Sequence, residues 1–478
     1  MEKSASTSMI PASHLQRLRE IVGPGGYLEQ RSDVAPYETD HRALYHGSTP
    51  LVLLPKRTEQ VSAILKLCND ARIGVVPVGG NTSYCGGATP SSDGSQVVVS
   101  LARMRQVRAV DPLNYAIVAE AGCVLAEIQA AAEAADRLFP LSLGSEGSCQ
   151  LGGNLSTNAG GTAVLRYGMM RELVLGLEVV LPDGRVLDLL RALRKDNTGY
   201  DLRDLFVGAE GTLGIITAAA CKLFSLPATR MTVLAAVANP QAAVALLARM
   251  RSVTGDAVTT FELMPRIALE LVFEHIERCT DPLSQPWQWY VLLEISAGRS
   301  ASGQREAIEA TLAQALEHGE LLDAAIAGSE AQRESMWRLR ESIPQAQRRA
   351  GASIKHDVSV TTSELPRFMV EAASAITTLC PNARIVAYGH LGDGNLHFNV
   401  SQPLGMPAEP FLALADTIHR AVHDLIARYG GSFSAEHGIG QLKRGELRHY
   451  KDPVALQVMR SIKLALDPNG IMNPGKVL

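Results

Sequence analysis

Along the first 225 residues, short aliphatic and β-branched runs alternate with stretches whose apolar positions recur at helical spacing. The run LVLLP (51–55) predicts a strand, EQVSAILKLCNDA (59–71) an amphipathic helix, and VVPVGG (75–80) a strand running into a glycine turn. Strands are predicted again over 96–101, 116–122 and 173–189, the last folding back at Pro182-Asp183-Gly184. Near SLPATRM (225–231) the texture changes. From 232 to 385, strand-like runs such as WYVLLEIS alternate with long Ala/Leu/Glu/Arg-rich helices, which suits a β–α–β–β–α–β cap sheet. The segment 384–400 reads as two short strands around a glycine turn, and 411–430 as one helix ended by Gly430. The tail reads as a short helix stopped by DPNG. This alternation argues α/β or α+β organisation, and 478 residues are too many for one ordinary core.

Composition narrows the class. With 46% hydrophobic and 20% charged residues and a net charge of −4, the chain reads as an ordinary globular protein with no nucleic-acid surface. Its N-terminus, MEKSASTSMIP, lacks an apolar leader core, and no stretch is apolar enough to span a membrane. The seven cysteines are scattered without a CxxC pair, the usage of a reducing compartment, so a cytoplasmic location is expected.

The 41 glycines are concentrated rather than spread, at 74–87, 144–168, 199–214 and 389–394. There is no GxGxxG dinucleotide fingerprint and no phosphate-binding GxxxxGK[ST]. Instead, PVGGNTSYCGGATP (77–90) follows a predicted strand. Adjacent glycines let backbone N–H groups form a nest for an anion such as a pyrophosphate, and Asn81, Thr82 and Ser83 add side-chain donors. GSEGSCQLGGNLSTNAGG (144–161) and KDNTGYDLRDLFVGAEGTLGIIT (195–217) repeat the trait. The former is too polar for a core and too uncharged for a solvent-facing helix. Three such loops suit one long, polar cofactor.

Two further groups carry chemistry. GHLGDGNLH sets His390 and His397 seven residues apart across a tight turn, so an antiparallel pair would bring both imidazoles to one face. With a carboxylate they would form a metal site of the two-His, one-acid kind, and Glu436 in SAEHGIGQ is the candidate. MWRLRESIPQAQRRAGASIKHDVSV offers cations for a carboxylate substrate, Arg340 and, fifteen residues on, Lys355. Arg348 and Arg349 read as a solvated helix face. His419 and His423, at i, i+4 on the 411–430 helix, read as structural, and nothing near His41 and His46 supports a chemical role.

The glycine loops, RYGMMRELVLGLEVVLPDG and the closing LDPNGIMNPGK together resemble the vanillyl-alcohol-oxidase-like FAD proteins. More narrowly, they resemble the D-lactate, glycolate and D-2-hydroxyglutarate dehydrogenase branch, nearest to the D-2-hydroxyglutarate dehydrogenases. The resemblance runs from about residue 30 to the C-terminus. It implies an α+β protein with a two-lobed FAD-binding domain (1–225), an α+β substrate or cap domain with the metal site (226–425) and a C-terminal helical segment closing on the flavin (426–478). It also implies FAD, with Gly79, Gly80, Asn81, Thr82 and Ser83 on the pyrophosphate. Gly144, Ser148, Gly152, Gly153, Asn154, Thr157, Asn158, Gly160, Gly161 and Ile216 would line the rest, and Asn473 would approach the flavin ring. Pro77, Gly86, Gly87, Tyr167 and Gly211 complete the implied cradle. Some members bond the flavin to a His in the first loop; Ser83 and Tyr84 stand in that region here, so non-covalent FAD is expected.

By the same resemblance, His390, His397 and Glu436 hold a divalent metal, zinc or manganese, and His437 is the catalytic base and a substrate contact. Arg340 and Lys355 grip the distal carboxylate, with Asn399 a further contact. The sequence departs from the family where Pro344 replaces a hydroxyl-bearing Thr, which removes a hydrogen bond to that carboxylate and is expected to move the local helix start. D-lactate and D-malate therefore stand beside D-2-hydroxyglutarate as substrates. No iron–sulfur or haem motif is present, so electrons would leave to electron-transfer flavoprotein or a quinone-linked acceptor. A homodimer is the default assembly. The rival readings are another flavin-fold oxidase acting on a hydroxy acid such as glycolate, and a metal-dependent hydrolase; the latter leaves the three N-terminal loops unexplained.

Overall fold

The structure is a computed structural model and describes residues 10–298 and 303–478; the first nine residues of the segment read for a leader lie outside it. The chain is α+β and divides into two compact units. Residues 1–161, 168–226 and 436–478 belong to the first, residues 162–167 and 227–435 to the second.

The first unit holds two main sheets. In one, strands run in the order Tyr27–Leu28, Val52–Leu53, Gln96–Ser100, Gly74–Val78, with the last three parallel. Parallel strands are covered on both faces, so these read as unbroken valine runs rather than as alternation. Val75, Val97 and Val99 pack with the helices Ala12–Val22 and Thr58–Ala71, whereas Val76, Val78 and Val98 pack against Val34 and Val52 on the other face. The second sheet is antiparallel, in the order Val107–Asp111, Ala116–Glu120, Ile215–Lys222, Val174–Val180, Val186–Leu189. The Pro-Asp-Gly turn closes its last hairpin as the sequence predicts: Gly184 sits at φ +87° and its N–H donates to the Leu181 carbonyl. The C-terminal segment belongs to this unit, since Val75 N donates to Ile471 O and Asn473 N to Val75 O, both at 2.8 Å.

One expected loop contains a helix. Leu151–Ser156 is helical although it reads LGGNLS, and Gly152 lets the turn lie on the end of the 116–120 strand. Gly152 N donates to Ala121 O at 2.7 Å, and a Cβ on Gly152 would lie 2.9 Å from that of Ala121. Sequence polarity gives no warning of such a close backbone approach.

The second unit is built on a single antiparallel sheet. Its order is Leu321–Ile326, Thr229–Val237, Trp289–Ala297, Val258–Pro265, Arg384–His390, Asn395–Ser401, Ser353–Ile354, with Asp357–Ser359 also paired to 395–401. The first four strands, with helices Pro240–Thr254 and Gln304–Glu317, make the expected β–α–β–β–α–β arrangement, with helix Arg266–His275 added between its two middle strands. Helices Leu365–Leu379 and Ala415–Arg428 join those two on one face, while Arg266–His275 and Glu330–Arg349 cover the other.

Two helix expectations are corrected. The predicted helix over 411–430 is two, Ala408–Leu412 and Ala415–Arg428, joined where Leu414 N donates to Phe411 O in a tightened turn. Pro344 does not move a helix start. The helix begins at Glu330, where the Ser329 side chain accepts from Gln332 N, and continues through Pro344 to Arg349. What the proline removes is the N–H that would bond the Arg340 carbonyl four residues earlier.

Candidate active-site residues

In the first unit the three glycine loops meet through backbone. Gly79 and Gly80 follow the 74–78 strand; a Cβ on Gly80 would lie 2.2 Å from Ser148 O, and one on Gly79 3.4 Å from the Gly153 backbone. Gly161, at φ +122°, packs against Ser142 O, and Gly211, at φ +70°, against the Pro77 ring. By contrast, nothing within 4 Å would obstruct a Cβ on Gly144 or Gly153. The walls are thus closed backbone to backbone, and open glycine surface remains at 144 and 153. Two polar atoms of this unit, Gln150 Oε1 and Asn473 Oδ1, are buried without a hydrogen-bond partner among the described residues. Burying such groups is costly unless a ligand satisfies them. Asn473 sits at φ +43°, and its Nδ2 donates to Gly87 O at 2.9 Å and Glu210 O at 2.8 Å, which orients the unpartnered Oδ1. These residues fit a long, polar cofactor such as FAD.

Several expected cofactor contacts also have protein partners. Asn81, at φ +52°, donates through Nδ2 to Pro36 O and Thr39 O, so its backbone N–H is the group suited to pyrophosphate. Thr157 Oγ1 donates to Gly153 O, Ser148 Oγ to Ser145 O, and Asn158 Oδ1 accepts from Arg171 N. Ser83 Oγ accepts from Cys85 N, and Gly86, at φ +66°, abuts the Tyr45 ring. Ile216 is buried in the 215–222 strand. Tyr167 lies in the second unit, under the Arg166 guanidinium, and burial raises its pKa.

Glu436 and His437 belong to the first unit. Gly161 N donates to Glu436 Oε1 at 3.1 Å, and the Tyr84 ring meets the His437 ring edge-on with centroids 4.8 Å apart. Glu210 organises this turn: Oε1 accepts from Ile439 N at 2.7 Å and Oε2 from Gly440 N at 2.8 Å. Burial raises its pKa, against the two N–H donors and Lys443, which lower it. Sequence reasoning missed Glu210; the signal was an acid inside the otherwise uncharged glycine run VGAEGTLG.

His390 and His397 lie in the second unit, on paired strands, with ring centroids 5.6 Å apart. The turn between them closes on Gly394 at φ +81°, where a Cβ would strike Val360 O at 2.0 Å. Behind His390 lies the other missed residue, Glu262. It is fully buried on the 258–265 strand, with Oε1 against His390 Nδ1 and Oε2 accepting from Arg340 Nε at 2.6 Å. Burial alone would raise its pKa, but the charges of Arg340 and His390 outweigh that and hold it well below the usual carboxylate range. The Arg340 guanidinium also stands 4.8 Å from the Tyr388 ring centroid. A carboxylate on Nδ1 fixes an imidazole as a metal ligand through Nε2, so this donor set fits a divalent cation. Asn399, buried, donates to Gln347 Oε1 at 2.9 Å, and Lys355 is half-buried beyond the 353–354 strand. The signal for Glu262 was a lone acid in the apolar run VTTFELMP.

Comparison with known proteins shows the family. Residues 49–190 match the FAD binding domain family, and residues 226–477 the family of FAD linked oxidases, C-terminal domain. The structure superposes on p-cresol methylhydroxylase with a TM-score of 0.75 at 16% identity (97% of this chain, 96% of that one). For an alkyldihydroxyacetonephosphate synthase the TM-score is 0.71 at 19% identity (98% of this chain, 86% of that one). The chain is an FAD-dependent oxidoreductase of the vanillyl-alcohol-oxidase-like fold. The D-2-hydroxyglutarate dehydrogenase of Arabidopsis thaliana is 38% identical over 480 residues, covering all of this chain and 84% of the relative. That of Stutzerimonas stutzeri is 34% identical, covering 97% of this chain and 98% of the relative. The D-2-hydroxyglutarate–pyruvate transhydrogenase of Saccharomyces cerevisiae is also 34% identical, covering 100% and 97%. The chain belongs to the D-2-hydroxyglutarate dehydrogenase family of FAD-dependent D-2-hydroxy acid dehydrogenases.

Proposed function

We propose that the protein oxidises a D-2-hydroxy acid, D-2-hydroxyglutarate first and D-lactate or D-malate as alternatives, to the 2-oxo acid with the help of a divalent metal. The observation that carries this reading is the buried Arg340–Glu262–His390 array, in which one carboxylate orients both the guanidinium we assign to the substrate and the imidazole we assign to the metal. FAD, when bound, supplies the hydride acceptor for C2 at its N5. His390, His397 and Glu436 would hold a zinc or manganese ion, whose positive charge would lower the pKa of the substrate hydroxyl. Arg340 and Lys355 bind the distal carboxylate and Asn399 adds a hydrogen bond. His437, steadied by the Tyr84 ring, accepts the hydroxyl proton at a ring nitrogen.

Pro344 brings no hydroxyl to the distal carboxylate, which supports the broader substrate range. Re-oxidation by electron-transfer flavoprotein or a quinone-linked carrier, a homodimer and a cytoplasmic setting complete the reading. All seven cysteines are thiols, six of them buried, and no helix among the described residues is long and apolar enough to cross a membrane. The test is a panel of D- and L-lactate, malate, glycolate and 2-hydroxyglutarate with a dye acceptor, before and after removal of metal by EDTA. Bleaching of the flavin by D-2-hydroxyglutarate, lost on chelation and restored by zinc or manganese, is expected. Preference for glycolate or an L-acid, or full activity in metal-free protein, overturns it.

A further inference from the structure

The helix Ala415–Arg428 buries Ile418, Val422, Leu425 and Ile426, yet the same side carries His419 and His423 one turn apart. Across from them, His356 stands between Lys355 and the 357–359 strand, and all three imidazoles belong to the second unit. They lie on the opposite face of the sheet from the active-site residues. On the 395–401 strand, Asn399 turns to Gln347 on helix 330–349, whereas Phe398 turns the other way, into the core beneath Ile418 and Val422 and 6.3 Å from the His356 ring.

Their geometry is specific. His356 Nδ1 is 2.7 Å from Phe398 O. A carbonyl only accepts, so the proton sits on Nδ1 and Nε2 carries the lone pair, the backbone-held tautomer usual for metal-ligating histidines. That Nε2 is 3.0 Å from Nδ1 of His419. The His423 ring stacks on that of His419 at an interplanar angle of 22° and lies 5.6 Å from that of His356. One nitrogen from each of the three falls within 4.8 Å of the other two. Nitrogens bound to one tetrahedral zinc at about 2.0–2.1 Å are about 3.4 Å apart, so small side-chain shifts bring the set to coordination distance. His356 is 3% and His423 6% exposed, so the nitrogens they offer lie inside the fold rather than on its surface.

We propose that His356, His419 and His423 form a second metal site, taking a borderline divalent ion such as zinc, and that it is structural. Three imidazoles suit zinc, cobalt, nickel or copper rather than magnesium or calcium. The bound ion fastens the segment carrying Lys355 to helix 415–428, across the sheet from the candidate catalytic metal. The site stands independently of His390, His397 and Glu436.

The test uses the full flavin-loaded chain, stripped by chelator dialysis and titrated with zinc against a chromophoric competitor. The wild type is expected to bind one equivalent more than His419→Gln/His423→Gln, while His390→Gln keeps that equivalent. Zinc is expected to raise the Tm of His390→Gln and not that of a triple variant that adds His419→Gln and His423→Gln to it. Equal zinc stoichiometry and affinity in the wild type and the double variant overturn the site. Should the double variant fail to fold, His423→Cys retains a ligand. Loaded with cobalt, it is expected to show a thiolate-to-cobalt charge-transfer band, and the absence of that band overturns the proposal.

Discussion

The candidate flavin cradle of the first unit and the charged array of the second solve the problem of burying polarity in opposite ways. The cradle is made of backbone: Gly80 against Ser148, Gly152 against Ala121 and Gly161 against Ser142, with a buried amide oxygen at Asn473 that has no hydrogen-bond partner among the described residues. Its polar groups are completed from outside. The array around Glu262 is made of side chains that complete one another, a carboxylate held between a guanidinium and an imidazole with no exposed surface of its own. A cradle of the first kind is therefore broken by adding atoms, and an array of the second kind by removing a charge.

The largest effect is expected at Gly80→Val. Its branched side chain must occupy the space of the Ser148 carbonyl, so the purified protein should lose its absorption near 450 nm altogether while the second unit still unfolds cooperatively. Retained stoichiometric flavin would break the comparison. His437→Ala sharpens it from the other side. The cradle is untouched, so the flavin spectrum should persist while turnover falls by about 10²–10⁴-fold, the usual weight of a general base. Loss of flavin together with activity counts against that role.

Glu262→Gln leaves Arg340 and His390 facing a neutral partner. Removing one member of a buried ion pair costs about 3–5 kcal/mol, to be read by urea unfolding of the second unit, with flavin content unchanged. The sign with pH follows from the depressed pKa. In the unfolded chain Glu262 binds a proton near its ordinary 4.5, whereas in the folded unit it stays ionised to lower pH. Its contribution is thus present above pH 4.5 and lost as the pH falls below that value. The wild type should lose stability there more steeply than Glu262→Gln; parallel curves would show that the carboxylate is not held as an anion.

The smallest effect concerns Lys476, buried in the first unit, where burial and Arg444 lower its pKa from 10.5 to about 8. Below pH 8 the folded protein carries this charge at a cost. Between 8 and 10.5 only the unfolded chain holds the proton, so stability rises with pH. Lys476→Met should gain on the order of 1–2 kcal/mol at pH 7, a gap that closes above pH 8. An unchanged gap at pH 10 would assign the gain to packing alone.

The two regions also differ in how far they could be read from sequence. Glycine loops are local, and their polarity and spacing mark the candidate cradle in the sequence itself. The array is not local. Glu262, Arg340 and His390 meet across separations of 78 and 128 residues, so only the His-containing turn and a helix with arginines were visible, while the acid joining them hid in an apolar strand. The helix at 151–156 escaped for a similar reason, since a glycine-rich turn becomes helical only against the strand end that its missing Cβ atoms allow it to touch.

By itself, then, the sequence determined what periodicity and local chemistry determine: the α+β alternation, the hairpin at Pro182–Gly184, the glycine loops and the placing of His390 and His397 on the two arms of one tight turn. Only the tertiary structure decided that Glu210 holds the turn bearing His437, that Glu262 fixes Arg340 and His390, and that Pro344 lies inside a helix rather than at its start. It also decided that His356 faces His419 and His423. The side of a strand or helix a residue occupies is written in its spacing, but what it meets there depends on which distant strand is laid alongside, and that is settled by packing the whole sheet.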